Sequence, residues 1–168
     1  MIKGNLIIRP LSAKLLHDTE LFGKMDPYVK VTVGTNSKLS PVAKGQHLQP
    51  SWDSEFCFRI QNDEVIYFEV FNKETISRDD LIGSGSIYLS SLLNKGPISD
   101  WLPLVYKDKP AGELLLEIQF FPDGGVLGAS QVSSKGVTTF TTDNQPSNLG
   151  IVGQEQGVSQ EFTQPSMG

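Results

Sequence analysis

The chain is poor in cysteine and histidine, lacks any long apolar run, and carries no excess of basic charge. Its single cysteine, Cys57, cannot form an internal disulfide, and no basic, apolar, small-residue series at the N-terminus reads as a signal peptide. A reducing, cytoplasmic setting is the expectation that follows. The apolar stretch from Leu6 to Leu16 is broken by Arg9, Pro10 and Lys14, and no segment reaches the roughly eighteen apolar residues that a spanning helix needs. Any membrane contact is therefore expected to be peripheral. With a net charge of −5, the chain lacks the basic balance that nucleic-acid binding usually demands, and no nucleic-acid partner is expected. The two histidines, His17 and His47, have no Ser or Cys partner at a recognisable spacing, so no catalytic set can be assembled and no enzyme is expected.

Helical periodicity is also scarce, and what replaces it is a period of two. Val29, Val31 and Val33 alternate with Tyr28, Lys30 and Thr32, and Phe56, Phe58 and Ile60 alternate with Glu55, Cys57 and Arg59. Ile66, Phe68 and Val70 face one way against Glu69, and Leu114, Leu116, Ile118 and Phe120 against Glu113, Glu117 and Gln119. Alternation of this kind buries one face of a strand and leaves the other to solvent. Eight strands are expected: 5–10, 28–33, 37–43, 55–60, 65–71, 84–89, 100–105 and 112–121. The fold class is all-β, an antiparallel sandwich of two four-stranded sheets. A short helical turn is expected around Ser90 to Leu93, capped by Ser90 or Ser91.

This pattern fills residues 1–122. From 123 to 168 the composition shifts to Gly, Ser, Thr and Gln with scattered single apolar residues, too few to offset the entropy of ordering. The segment is expected to be disordered alone or ordered by a protein partner. Val126, Leu127, Phe140, Ile151, Val152 and Phe162 are its candidate anchors.

Two runs carry the candidate chemistry. Phe22 to Val33 reads FGKMDPYVKVTV and Phe71 to Gly83 reads FNKETISRDDLIG, each placing acidic residues on a loop hinged to a strand. Between and after them come QPSWDSEF and GELLLEIQFFP. In that order and spacing these segments resemble a C2 domain, and in particular the small single-C2 proteins of plants and protists. One strand precedes the MDPY loop and a full strand follows Trp101, so the strand order resembles the type II topology.

The resemblance implies a calcium site formed by five positions, which fall on Glu20, Asp26, Asn72, Glu74 and Asp80. Two of the five are the Asp that the family pattern has. Calcium takes six to eight oxygens at about 2.3 to 2.6 Å and binds more tightly as carboxylates accumulate. Asn72 brings no charge, and Glu20 and Glu74 each add a methylene, so calcium binding is expected to be weak if present, with Asp18 and Asp79 as candidate substitutes. Without metal, Asp26 before Pro27 and Asp80 before Leu81 would each close a turn through backbone amides.

Around these acids sit Leu21, Phe22 and Ile76, accompanied by Lys24, Lys73 and Arg78. Apolar tips ringed by basic residues suit insertion into an anionic phospholipid headgroup layer. The leading expectation is a non-enzymatic module that docks reversibly on cytoplasmic membranes through these tips. The alternative is a calcium-independent scaffold or adaptor subunit that uses the sandwich and the C-terminal segment for protein contacts. Lys38 and Lys44, with His47 nearby, are too few for a strong phosphoinositide site, and Trp52 and Trp101 read as core or edge-packing aromatics.

Overall fold

A computed structural model describes residues 1–124. The expectations placed on the segment beyond, including its candidate anchors, lie outside the described residues. Eight strands run in chain order: β1 Lys3–Leu15, β2 Pro27–Val33, β3 Asn36–Leu39, β4 Phe56–Gln61, β5 Val65–Asn72, β6 Asp80–Tyr88, β7 Ile98–Tyr106 and β8 Lys109–Pro122. Their hydrogen-bonded order is β3-β2-β5-β6-β7-β8-β1-β4, antiparallel at every pairing. β6 and β7 touch through one register pair, Ser84 with Val105, so the sheet bends there into two four-stranded layers.

The inner faces are those that the alternation marked. Val29, Val31, Phe58, Ile60, Ile66 and Phe68 are at most 2% exposed, and the inward residues of β8 join them. Burial of each such side chain contributes about 1.5 to 3 kcal/mol, the main force closing the two layers. Trp52 is in this core, its indole N–H donating to the Pro27 carbonyl at 3.1 Å. Trp101 lies at the edge instead, half-covered, with Lys14 Nζ 4.5 Å from the ring centroid.

Among the boundaries that differ from the sequence expectation, β6 begins at Asp80 rather than Ser84, and three others have an identifiable local cause. β1 runs past Pro10 to Leu15 because a bulge between Pro10 and Ser12 absorbs the missing N–H. Beyond it, Ala13 and Leu15 donate to the carbonyls of Pro50 and Leu48. β3 stops at Leu39, short of Ala43. Pro41 has no N–H to continue the ladder, and the Ser40 hydroxyl accepts the Val29 N–H at 2.8 Å in its place. The helical turn is a 3-10 turn, Leu89–Leu92, preceded by Tyr88 and without a side-chain cap. Ser91 Oγ donates back to the Tyr88 carbonyl at 2.7 Å, and buried Leu89 and Leu92 anchor the turn from below.

Since neighbouring strands run antiparallel, the connections β1–β2, β3–β4, β5–β6 and β7–β8 emerge at one end. The rings of His17 and Tyr106, 4.1 Å apart, tie the first of these connections to the last. Among the described residues no helix is long and apolar enough to cross a membrane.

Candidate functional site

The β1–β2 loop is held from inside by Met25, which is fully buried. Its backbone N–H donates to His47 Nδ1 at 3.1 Å, and its carbonyl accepts the His47 N–H at 3.0 Å. His47 must then carry its ring proton on Nε2, which lies 3.5 Å from Asp18 Oδ2. The other Asp18 oxygen accepts the Glu20 N–H at 2.9 Å, turning the chain so that Glu20 faces the β5–β6 loop. Asp18 is thus occupied with shaping its own loop.

The β5–β6 loop is closed in the same manner by Asp79. This carboxylate accepts the Tyr28 hydroxyl at 2.5 Å and the Glu74 N–H at 2.9 Å, with Lys73 Nζ at 3.6 Å. The Glu74 N–H, the Tyr28 hydroxyl and the nearby Lys73 together hold the Asp79 carboxyl below the usual carboxylate range. Tyr28 is pushed the opposite way, first by burial and then by its bond to Asp79.

The two loops meet over Asn72. The register of β2, β5 and β6 sets Pro27, Asn72 and Asp80 side by side, and Asn72, at the end of β5, keeps the inward phase and is 1% exposed. Asn72 Oδ1 accepts the Asp26 N–H at 2.7 Å. Its Nδ2 donates to Glu20 Oε2 at 2.6 Å and Glu74 Oε2 at 2.8 Å, with Thr19 Oγ1 at 3.2 Å. Glu20, Glu74 and Asp80 bring one oxygen each to within 4.8 Å of one another. Such crowding raises the Glu74 carboxyl to about 7, chiefly through its hydrogen bond with Glu20, then through desolvation and the charges of Glu20 and Asp80.

Of the five positions expected to form a metal site, the structure therefore gathers Glu20, Asn72, Glu74 and Asp80. Asp26 behaves differently: its carboxylate accepts the Gly45 N–H at 2.6 Å, and its own carbonyl accepts the Lys73 N–H at 3.0 Å. The oxygen of Asn72 that a cation would need is likewise committed to a backbone N–H. Met25, His47, Thr19 and Gly45 were not expected to take part. No sequence signal marks them: Met25, His47 and Gly45 contribute through contacts made only when the β3–β4 connection lies against the β1–β2 loop, and Thr19 through contacts with Met25 and Asn72 made on folding.

The tips rise from this joint. Leu21 is 92% exposed, Phe22 89% and Ile76 98%, and Gly23, with φ of 87°, makes the sharp reversal that presents the first pair. Lys24 and Arg78 are exposed beside them, and neither makes an ion pair among the described residues. Lys73 differs, being paired with Asp79. Elsewhere, Lys38 lies 5.7 Å from the Phe58 ring, and Cys57 is exposed on the outward phase of β4.

A two-layer sandwich with an acidic joint and projecting loops at one end defines the class of this protein. The C2 domain family profile matches residues 4–104, and the chain belongs to that family. Among curated relatives, 16 kDa phloem protein 2 of Arabidopsis thaliana is 32% identical over 124 residues, 73% of this chain and 84% of its own length. A solved C2 domain-containing protein from a putative elicitor-responsive gene superposes with a TM-score of 0.64 at 29% identity, covering 76% of this chain and 95% of that one. The calcium-bound pair of C2 domains from Extended-Synaptotagmin 2 superposes with a TM-score of 0.61 at 27% identity, covering 71% of this chain and 46% of that one.

Proposed function

We propose that the protein is a non-enzymatic C2 module that docks reversibly on the anionic cytoplasmic face of a membrane through its β1–β2 and β5–β6 loops. Leu21, Phe22 and Ile76 insert among the headgroups, while Lys24 and Arg78 meet lipid phosphates. Lys73 serves the same surface once it leaves Asp79. The observation that carries this reading is the near-complete exposure of three large apolar side chains on two loops locked together through Asn72. An apolar cluster presented by a rigid base costs free energy in water and regains it in a membrane interface.

Full burial of each tip would contribute about 1.5 to 3 kcal/mol, and each basic residue near anionic lipid about 1 kcal/mol. Partial insertion of these groups is enough for reversible attachment. No step of this docking is routed through calcium. Vesicle pelleting tests it with full-length protein, phosphatidylserine-containing vesicles and pure phosphatidylcholine vesicles. Wild type should pellet with the anionic vesicles, and the L21A/F22A/I76A variant should lose at least about tenfold in apparent affinity. A folded wild type that ignores both vesicle types rejects membrane docking and directs attention to the adaptor reading.

A further inference from the structure

We infer that the Asn72 side-chain amide takes the place of a metal ion at the joint of the two loops, so that this end of the sandwich is held closed without calcium. Calcium draws six to eight oxygens around itself, and the donors gathered here do not suit it. A backbone N–H can be met only by the oxygen of an amide, so the bond from Asp26 fixes Asn72 Oδ1 away from the joint and turns its NH2 group toward Glu20 and Glu74. Two N–H hydrogens, each with partial positive charge, are aimed at the oxygens that a cation would have to collect.

The amide cannot swing aside at low cost. Asn72 is 1% exposed, and turning it would leave the Asp26 N–H without a partner. Asp26 Oδ1 meanwhile receives the Gly45 N–H at 2.6 Å, which turns that carboxylate toward the β3–β4 connection. What the NH2 group does instead is what a bridging cation does: it joins two carboxylates from separate loops that would otherwise repel. Glu20 and Glu74 reach it because each has one methylene more than aspartate, a length poorly matched to a metal site but suited to two hydrogen bonds at 2.6 and 2.8 Å. The loops are consequently clamped by a neutral group, and the tips are presented constitutively. This inference stands apart from membrane docking and is decided by calcium binding alone.

The test is calorimetric titration of calcium chloride into full-length, chelator-stripped wild type and Asn72→Asp, with thermal unfolding of both in chelator and in calcium. Wild type should give no saturable heat up to about 1 mM calcium, the weak limit of dedicated sites, and its Tm should be the same in both conditions. Asn72→Asp keeps an oxygen for the Asp26 N–H, loses the clamp and adds a carboxylate. It should unfold at lower temperature in chelator, bind calcium at least about tenfold more tightly than wild type, and regain about 4 °C or more when calcium is added. Saturable calcium binding by wild type overturns the inference, as does a folded Asn72→Asp that remains indifferent to calcium. Should that variant not fold, the side-chain NH2 resonances of Asn72 in nitrogen-15-labelled wild type decide: resonances unmoved by calcium support the clamp, and a saturable shift removes it.

Discussion

Glu74 is where the chemistry of the joint is most exposed to measurement. Its folded-state pKa, about 7, lies above the ordinary 4.5, because a proton shared with Glu20 relieves the repulsion among neighbouring carboxylates. An acid raised in the folded state contributes stability that is complete below its unfolded pKa and is lost as pH rises through the folded value. In chelator, wild type should therefore lose part of its stability between about pH 4.5 and 7. Glu74→Gln, which supplies an N–H permanently, should gain Tm relative to wild type as pH is raised from about 5 to 8, read from paired melting curves. A difference that stays flat with pH would remove the shared proton. The convergence of Glu20, Glu74 and Asp80 was expected from the resemblance to a C2 domain, whose ligand positions fall on these residues, and the structure brings the three together. The direction of the Asn72 amide was not legible in the sequence, nor the turning of Asp26 toward Gly45. Both depend on single backbone donors, and the Gly45 donor comes from a connection nineteen residues along the chain.

At the scale of elements, the period of two marked β2, β4, β5 and β8, while the ends were decided by side chains and connections that periodicity does not describe. Pro10 reads as a stop, yet β1 continues because a bulge accepts it and the β3–β4 connection supplies new partners beyond. β8 has a comparable constraint where it faces the end of β1. Gly112 has a φ of 132°, and a Cβ there would sit 2.3 Å from the Lys14 carbonyl oxygen and 2.9 Å from the Leu15 Cα. Since both contacts are backbone, the strain cannot be released by moving a side chain. Gly112→Ala should destabilise the domain by about 1 to 3 kcal/mol, measured by urea unfolding. The β1–β8 pairing should open first, visible as faster amide exchange at Leu16, whose N–H donates to the Ala111 carbonyl, and unchanged stability would show that the β7–β8 turn yields instead.

Across the whole molecule, two layers joined by the single Ser84–Val105 pair owe their cohesion mainly to the buried face, which leaves the loop end free to carry a surface unrelated to folding. That surface must act against the charge of the chain as a whole, which is −5 and is repelled by an anionic membrane. In the proposed docking, short-range insertion of Leu21, Phe22 and Ile76 has to overcome this repulsion, with Lys24 and Arg78 acting only at contact distance. Screening shortens the reach of charge to about 10 Å at 0.1 M salt and about 3 Å at 1 M. Added salt should therefore weaken long-range repulsion and the contacts of two basic side chains to similar small extents, while apolar insertion remains. The apparent affinity for phosphatidylserine vesicles should change by less than about threefold as salt is raised from about 0.1 to 0.5 M. A steep fall over that range would assign the attachment to the basic residues, and L21A/F22A/I76A would then bind nearly as well as wild type at low salt.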